Sequence, residues 1–422
     1  MKQTICRIFL AIITCCMSIH CGHALDTMPG SFDEKIRTLQ LTHSANEFAP
    51  PVLISGSNDR LLFSFDHISD DREFFRYRLT HCNADWQPSG LVDSEIIDGF
   101  NEGTIDDYEF SRGTTVNYVN YRFVIPNEQI VPLLSGNYLL TVYPENDPDK
   151  PVAQWRFMVC EQVARIGADL TTRTDVDYNS SHQQLSVIVD TERTDVTDPF
   201  NDMTVMIQQN GRLDNEVAIR HPMRMSGRKA VYEHSAPLIF EAGNEYRRFE
   251  TVSLDYPGMH ISEIAYVNPY YHAVLMTDSP RSAETYLFDS TQHGRFKIRE
   301  YDSDDADTKS DYVVVHFSLE CDEMPGTMVF IDGDLTSRRF DDSSRMIFNH
   351  ASGRYEKAML LKQGSYNYQY LTVAPGQKSG HASVIEGDKY QTVNEYLIKV
   401  YTRQPGDRYD RLIGVSQIIS DR

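Results

Sequence analysis

The stretch Tyr312-Val-Val-Val-His-Phe-Ser-Leu319 decides the fold class of this 422-residue chain. Large apolar side chains occupy every second position from Val313 to Leu319. A period of two places successive side chains on opposite faces, which predicts a β-strand with one buried face. Similar patterns return at 355–361 and 396–400, with the turn residues Gln363-Gly-Ser365 between them. Residues 312–422 are therefore predicted to form an early-set-like β-sandwich.

The first third of the chain carries the same alternation more often. Inward-facing residues are predicted at 75–79, 119–125 and 155–159, and polar turns such as Ser135-Gly-Asn137 separate the strands. About seven short strands joined by polar turns are typical of an immunoglobulin-like sandwich. We therefore expect residues 25–161 to form an N-terminal sandwich of that kind.

The middle of the chain, residues 162–300, gives weaker strand signals. Short β-rich runs occur at 203–208 and 261–267, and Asn210-Gly211 after the first of them predicts a tight hairpin turn. Helical periodicity is scarce throughout. The sequence thus predicts an all-β chain of three tandem immunoglobulin-like or early-set-like β-sandwiches.

An acidic stretch, Asp302-Ser-Asp-Asp-Ala-Asp-Thr-Lys-Ser-Asp311, separates the last two predicted sandwiches. Its charge and its lack of large apolar residues predict a solvated linker over 301–311. A calcium loop would need a ligand at its fifth position, where Ala306 stands, and a glycine at its sixth, where Asp307 stands. A calcium site is therefore disfavoured.

The first residues have the pattern of a cleaved secretory signal peptide, which we place at 1–24. A basic start leads into an apolar run too short to span a bilayer, and Gly22-His-Ala24 supplies small residues for cleavage. Lipid attachment at Cys21 is the alternative, but His20 is a poor residue before a lipid-bearing cysteine. No later stretch reaches about 18 continuous apolar residues. We therefore expect an exported, periplasmic protein without a membrane-spanning helix.

The charge balance is strongly acidic. The chain has 40 lysines and arginines against 61 aspartates and glutamates, and its net charge is −21. An acidic surface repels phosphates and anionic lipids. Nucleic acid and the lipid surface are therefore excluded as expected partners.

Motifs of catalysis and cofactor binding are missing from the sequence, which has no GxSxG, GxGxxG, phosphate loop or HExxH. His81-Cys82 suggests a nucleophile, but adjacent side chains of a strand point to opposite faces. Cys82, Cys160 and Cys321 are favoured as free thiols, with a bridge between the first two left open. Arg247-Arg248 and Arg338-Arg339 are expected to be salt-bridging surface arginines. We predict no catalytic, cofactor-binding or metal-binding residues, and no enzyme.

A periplasmic carbohydrate-binding protein is the main alternative. Some early-set sandwiches bind glycogen or starch through exposed aromatic platforms, and Tyr366, Tyr368 and Tyr370 share one face of a predicted strand. Both tryptophans, Trp86 and Trp155, lie in the first third instead. A row of tyrosines on one strand face is more often part of a packed surface. The core role is therefore favoured for these tyrosines, and their exposure decides between the two.

Several longer stretches carry a family resemblance. They are Tyr77-Arg-Leu-Thr-His-Cys-Asn-Ala-Asp-Trp-Gln-Pro-Ser89, Ile97-Asp-Gly-Phe-Asn-Glu-Gly-Thr-Ile-Asp-Asp-Tyr-Glu-Phe110, Leu134-Ser-Gly-Asn-Tyr-Leu-Leu-Thr-Val-Tyr143, Tyr390-Gln-Thr-Val-Asn-Glu-Tyr-Leu397 and Asp407-Arg-Tyr-Asp-Arg-Leu-Ile-Gly414. Together they resemble the type IX secretion system plug proteins of Bacteroidota, over residues 30–416, with the weakest agreement in the middle. Val393 stands where the family resemblance leads us to expect an acidic residue.

That resemblance implies a non-catalytic protein at the periplasmic mouth of a very large outer-membrane β-barrel, which it closes while no cargo is exported. Outside that complex the resemblance implies a monomer. A seal that opens needs a polar rim with a few aromatic anchors. Trp86, Tyr108, Phe110 and Tyr409 are predicted as these partner contacts, because turn-forming or charged residues flank them. The alternative for each is an ordinary core or strand residue.

Overall fold

The computed structural model describes residues 27–420, so the predicted leader at 1–24, with Cys21, lies outside the described residues. The predicted all-β fold is confirmed. Within the described range, thirty strands form mainly antiparallel sheets, and the two α-helices are single turns. The apolar side chains gather in three main cores, one for each β-sandwich.

The first sandwich consists of two sheets packed face to face around aromatic side chains. Its elements are β1 (Gly30–Ser31), β2 (Ile36–His43), β3 (Val52–Ile54), β4 (Leu61–His67), β5 (Phe75–Cys82), α1 (Asp93–Ile96), β6 (Ile97–Gly99), β7 (Gly103–Thr104), β8 (Asp107–Phe110), β9 (Val119–Ile125), β10 (Ile130–Pro132), β11 (Gly136–Pro144) and β12 (Ala153–Cys160). One sheet has the order β1-β12-β11-β5-β7 with β3 on β12, the other has the order β2-β4-β9-β8, and β6 pairs with β10 as a separate ribbon. Phe63 stacks on Phe123 of its own sheet at 5.2 Å and meets Trp155 of the opposite sheet edge-on at 5.8 Å, both between ring centroids.

The middle sandwich begins with a sheet of four strands and one short addition. The elements of this stretch are β13 (Arg165–Thr171), β14 (His182–Asp190), β15 (Met203–Gln209), β16 (Val217–Ile219), β17 (Arg224–Ser226), β18 (Lys229–Tyr232), a 3-10 turn (Ala236–Leu238) and β19 (Ile239–Glu241). The order of the first sheet is β13-β14-β18-β17, with β19 on β14. Asn210-Gly211 forms a tight turn: both residues have positive φ, and the Arg212 N–H donates to the Gln209 carbonyl at 3.0 Å. The predicted two-residue hairpin is wrong, because the pairing of β15 with β16 ends at Ile207 and Val217 and a longer loop connects them.

The third sandwich is one continuous sheet that folds over on itself. Its elements are β20 (Arg247–Glu250), β21 (Ile261–Val267), β22 (Tyr270–Leu275), β23 (Phe296–Ile298), α2 (Ala306–Lys309), β24 (Tyr312–Leu319), β25 (Met328–Asp332), a 3-10 turn (Asp334–Thr336), β26 (Arg345–Asn349), β27 (Arg354–Lys362) and β28 (Gly364–Val373). The order is β20-β28-β25-β26-β27-β24-β22-β21, with β23 on β28. Phe249 of β20 meets Phe317 of β24 edge-on at 5.5 Å, which brings distant strands of the sheet together across the core.

The last two strands, β29 (Glu395–Thr402) and β30 (Arg411–Ile419), return to the middle sandwich. They complete its second sheet in the order β16-β15-β29-β30, with Ile207 opposite Ile398. Conversely, β20 to β23 come from the stretch predicted as the middle sandwich and belong to the third. The middle and third sandwiches therefore each combine strands from both segments, 162–300 and 312–422. A strand pairs with the strand whose side chains pack against its own, whatever their order in the chain.

The acidic stretch 301–311 is not solvated along its whole length, which corrects the predicted linker. Thr308, Ser310 and Asp311 are buried. The Asp311 carboxylate accepts hydrogen bonds from the backbone N–H groups of Thr115 and Val116 at 2.6 and 3.0 Å. These donors from the first sandwich stabilise the buried charge. The second half of the stretch is thus part of the contact between the first and third sandwiches.

A buried ion pair also joins the first sandwich to the third. Lys362 Nζ lies 2.7 Å from Asp66 Oδ2, and neither side chain is more than 1% exposed. The Tyr312 hydroxyl and the Asn120 side-chain amide donate to the same carboxylate, each at 2.7 Å. Burial raises the pKa of Asp66, and Lys362 acts in the opposite direction. Removing the lysine would therefore leave a buried carboxylate without its cation.

We predict that Lys362→Met lowers the free energy of unfolding by about 3–5 kcal/mol at neutral pH, because Asp66 loses its cation. This loss of stability should become smaller as the pH falls. Burial raises the pKa of Asp66, so the folded variant takes up a proton there and no longer holds an unpaired buried charge. Denaturant unfolding at several pH values measures both effects.

The matched control is Lys297→Met. The pair of Lys297 with Glu47 also joins the first and third sandwiches, but both side chains are nearly half exposed. Its loss should therefore lower the free energy of unfolding by about 1 kcal/mol or less. Equal losses in the two variants would contradict the importance given to the buried pair.

Candidate functional site

Two of the four predicted contact residues, Tyr108 and Phe110, lie together on β8. This strand ends its sheet and pairs with β9, where Tyr108 lies opposite Tyr121. Phe110 is 46% exposed, Tyr108 is half-buried, and their ring centroids are 6.0 Å apart. Tyr108 also packs against the core of the first sandwich, so Phe110 is the ring of this pair that is exposed to a partner.

Arg72 and Phe74 extend this exposed surface. The Arg72 guanidinium lies between two rings, 4.3 Å from the Phe74 centroid and 4.1 Å from the Tyr108 centroid. A guanidinium over a ring face is attracted by the ring quadrupole, which holds the stack in place. Phe74 is 55% exposed. The four residues that form this surface, called the aromatic edge below, are Arg72, Phe74, Tyr108 and Phe110.

Sequence reasoning missed Phe74, although the chain contains a signal for it. Phe74 directly precedes β5, whose first residue, Phe75, is buried in the core. Successive side chains of an extended chain point to opposite faces. One ring of this Phe-Phe pair therefore has to face outward.

A second exposed apolar surface lies on the ribbon of β6 and β10. Ile97 and Ile130 turn into the core, so the alternate positions of the ribbon face outward. Phe100, just after β6, is 87% exposed, and Leu133, just after β10, is 51% exposed. Exposed large apolar side chains grouped in this way mark interaction surfaces. The residues of this surface, called the apolar ribbon below, are Phe100, Val131 and Leu133.

The other two predicted contact residues touch the chain itself. Trp86 is only 7% exposed, and the Arg156 guanidinium lies 4.4 Å from its ring centroid. Tyr409 lies between β29 and β30, and its ring meets the His81 ring edge-on at 5.0 Å. Both residues are at the contact of the first sandwich with the middle one, where Trp86 packs in a cluster with Leu397. The structure thus separates the four residues into a pair on an edge strand, of which Phe110 is exposed, and a pair at an internal contact.

A cluster of buried charges lies inside the third sandwich. Arg247 Nη1 is 2.6 Å from Asp278 Oδ1, and Arg247 Nε is 3.0 Å from Glu386 Oε1. Arg281 Nη2 lies 2.7 Å from the other oxygen of Glu386. Burial alone would raise the pKa of Glu386, but the two guanidiniums outweigh it and hold the pKa below its usual value. Each of these charges has a partner, which gives the cluster a structural role.

The prediction of surface arginines is wrong for Arg247 and Arg338, whose side chains are 9% and 6% exposed. Buried guanidiniums are tolerated because carboxylates of the same sandwich pair with them. Arg248 and Arg339 fit the prediction better, because they are partly exposed and lie 2.8 Å from Asp289 and from Asp341.

The core role predicted for the tyrosine ladder is confirmed. None of Tyr366, Tyr368 and Tyr370 is more than 2% exposed. Tyr366 stacks on Phe249 at 5.0 Å, and the hydroxyls of the other two donate to Asp278 at 2.8 and 2.7 Å. Buried rings do not form a sugar platform. The carbohydrate-binding alternative therefore loses the feature that suggested it.

The cysteines of the described chain are free thiols, as predicted. Burial raises the pKa of Cys82 and that of Cys160 to about 12, so neither is a thiolate at neutral pH. His81 contacts Ser89 Oγ at 2.9 Å and the Ser135 carbonyl at 3.1 Å. Across residues 27–420, no three acidic, histidine or cysteine side chains are grouped so that they could hold a metal ion. Over the same residues, none of the helices has the length and apolar character that crossing a membrane requires.

Comparison with known proteins gives two informative matches. A family model for the first domain of the type 9 secretion system plug protein matches residues 36–161, which form most of the first sandwich. The crystal structure of a hypothetical protein from Parabacteroides merdae is 42% identical in sequence, with a TM-score of 0.92 over 93% of this chain and 99% of its own. Neither match indicates an enzyme family, and no curated protein matches the chain.

Two further solved structures are much less similar. A DNA-bound alkylpurine DNA glycosylase from Pseudomonas fluorescens is 11% identical over 30% of each chain, with a TM-score of 0.17. An α2-macroglobulin fragment from Escherichia coli is 9% identical over 47% of this chain and 97% of its own, with a TM-score of 0.16. Scores this low carry no argument about fold or function.

We predict that Glu386→Gln lowers the free energy of unfolding by about 3–5 kcal/mol at neutral pH, because the buried guanidinium of Arg247 and the partly exposed one of Arg281 lose their shared carboxylate. In the unchanged protein the pKa of Glu386 is lower when folded than when unfolded. Its contribution to stability is therefore present above the unfolded value and is lost as the pH falls through the folded value. Denaturant unfolding across the acidic pH range, followed by circular dichroism, measures the loss.

Glu320→Gln is the control for this prediction. Glu320 pairs with Arg354 at 2.9 Å in the same sandwich, but it is 61% exposed. Its substitution should cost about 1 kcal/mol or less. A Glu386→Gln variant as stable as this control would show that the buried cluster does not support the sandwich.

Proposed function

The chain belongs to the type 9 secretion system plug protein family, and from this premise we propose that it binds and occludes the periplasmic opening of the outer-membrane translocon barrel while no cargo is exported. It does so without a reaction, by filling the opening with its own folded body. The proposal places the protein in the periplasm, as a monomer outside the complex. The leader predicted at 1–24 supports this location.

One observation supports the proposal most: the sandwich that the family model matches carries two groups of exposed apolar side chains, the aromatic edge and the apolar ribbon. The aromatic edge and the apolar ribbon both lie within residues 36–161, in a chain whose net charge is −21. Exposed apolar groups in such a chain favour contact with a partner. Aromatic anchors surrounded by polar residues are the composition of a protein interface.

The contacts between the sandwiches also support a role as a plug, because they hold the sandwiches in fixed positions. The buried pair Asp66–Lys362 joins the first and third sandwiches, and the Tyr401 hydroxyl of the middle sandwich donates to Asn137 of the first at 2.6 Å. Contacts of this kind hold surfaces in place before binding. A preformed surface avoids the entropy cost of ordering flexible segments on a partner.

Four rings of the first sandwich are the contacts that we propose for the barrel: the exposed Phe74, Phe100 and Phe110, and the half-buried Tyr108. Trp86 and Tyr409 do not contact the barrel in this proposal. They hold the first sandwich against the middle one. Their substitution would affect barrel binding through the position of the first sandwich. Substitution of the exposed rings would affect it directly.

Co-purification with the barrel from the native cell tests the proposal. We predict that the double variant Phe74→Asp and Phe110→Asp recovers at least about tenfold less barrel, because a carboxylate would be buried in an apolar contact. Phe100→Asp tests the apolar ribbon separately. Circular dichroism of the purified variants checks that each one folds.

Tyr256→Asp is the matched control, since Tyr256 is 76% exposed on the third sandwich. This variant should recover as much barrel as the unchanged protein. Full recovery with the double variant and with Phe100→Asp would remove both apolar surfaces from the proposal. Absence of the barrel from the eluate of the unchanged protein would refute the proposal itself.

A further inference from the structure

Strand β8 has backbone groups that point away from its only neighbouring strand. Ser111, just after β8, donates its N–H to the Tyr118 carbonyl at 2.8 Å and continues the register of the β8–β9 pair. In an antiparallel pair, residues that bond the neighbouring strand alternate with residues that do not. Glu109 therefore bonds β9 as Ser111 does. The N–H and C=O groups of Tyr108 and Phe110 point to the other side.

The residue after Ser111 agrees with this direction. The Arg112 N–H is on the same side as that of Phe110, and it donates to the Thr308 carbonyl of the third sandwich at 2.8 Å. Among residues 27–420, no strand pairs with this outer side of β8, which is the last strand of its sheet. Unpaired N–H and C=O groups of an edge strand are a template for a further strand. The open length is that of β8, Asp107–Phe110.

The two faces of β8 differ in chemistry, and the first face is apolar. Tyr108 and Phe110 point to this face, where Tyr108 packs on the core and Phe110 is exposed. Phe74 of the aromatic edge is exposed as well. Side chains that lie opposite one another on paired strands are in contact. An added strand would therefore place apolar side chains favourably beside Phe110.

The second face of β8 is acidic. Asp107 and Glu109 point to it, each 3.3 Å from the guanidinium of Arg122 on β9. Four carboxylates, all 38–64% exposed, meet two guanidiniums at this face: Asp107, Glu109, Asp305 and Asp307 with Arg112 and Arg122. Carboxylates in excess attract cations. An added strand would therefore place lysine or arginine side chains favourably beside Asp107 and Glu109.

We propose that β8 is the docking edge for an extended segment of the barrel in which apolar and basic side chains alternate. The segment adds a strand to the sheet β2-β4-β9-β8. Main-chain hydrogen bonds supply affinity in strand addition, and the alternate side chains supply specificity. This inference deepens the proposed function and rests on it for the source of the segment.

A second copy of this chain fits the edge poorly. Opposite residues of an antiparallel pair share a face, so two β8 strands that overlap along most of their length place Glu109 opposite Asp107 or opposite Glu109 of the other copy. Like charges directly opposite each other destabilise a strand pair. The carboxylates of the edge therefore oppose self-pairing, and they remain attractive to a basic segment.

Peptide titration of the full chain tests the edge. The labelled peptide Lys-Val-Lys-Val-Lys-Val-Lys should bind to saturation in fluorescence anisotropy. Two control peptides should bind at least about tenfold more weakly: Glu-Val-Glu-Val-Glu-Val-Glu, and Lys-Lys-Lys-Lys-Val-Val-Val, which keeps the composition and lacks the alternation. Hydrogen exchange at the amides of Tyr108 and Phe110 should slow when the alternating basic peptide binds, because both N–H groups gain acceptors.

Charge reversal of the edge should reverse the preference. The double variant Asp107→Lys and Glu109→Lys should bind the Glu-Val peptide at least about tenfold more tightly than the Lys-Val peptide. Asp107→Lys alone carries the test if the double variant fails to fold, because Asp107 is 64% exposed. Asp169→Lys is the matched control, since Asp169 is exposed on the edge strand β13 of the middle sandwich. This control should leave the original preference unchanged.

Recovery of the barrel from the native cell separates this inference from the proposed function. The double variant should recover at least about tenfold less barrel than the unchanged chain. Equal recovery would overturn the inference and leave the proposed function intact. No barrel with the unchanged chain would remove the proposed function, and with it the source of the segment. Equal affinity for the three peptides, or a dimer of the unchanged chain that the double variant dissociates, would also overturn the inference.

Discussion

Strand β29 is buried on both faces, and the arrangement of the molecule depends on this. Tyr396, Ile398 and Val400 turn into the core of the middle sandwich, while Leu397 and Tyr401 on the other face pack in the cluster shared with the first. A strand with two apolar faces has to be covered from both sides, since either face would otherwise meet water. One strand from the end of the chain therefore completes the middle sandwich and holds the first sandwich against it.

The joint between the first and third sandwiches has a different physical basis. Asp66 and Lys362 are both buried, and Tyr312 donates a hydrogen bond to the same carboxylate. A charge removed from water requires its partners at hydrogen-bond distance, so this joint accepts a narrow range of orientations. Apolar packing at β29 and charge pairing at Asp66 hold the first sandwich on two sides. Its aromatic edge and apolar ribbon stay exposed.

Local patterns predicted much of the fold, and long-range pairing accounts for what they missed. The alternation of apolar residues in Tyr312–Leu319 predicted strand β24, because a period of two depends only on neighbouring residues. The same period placed the three tyrosines of the ladder on one strand face, and that face lies in the core. Nothing near Ile398 indicates that it pairs with Ile207 of a distant segment. For the same reason, the sequence could not show which of the four predicted contact residues are covered by other parts of the chain. Charged neighbours flank both Phe110 and Trp86, but only Trp86 is covered, by an arginine from another strand.

Occlusion of a pore by a preformed body is tested most directly by the permeability of the native cell. Deleting this protein should let large polar solutes, such as a bulky glycopeptide antibiotic, enter through the outer membrane while the translocon barrel is present. The same deletion in cells without the barrel should leave entry unchanged. If the deletion has no effect on entry, or has an equal effect in cells lacking the barrel, then the protein does not seal that pore.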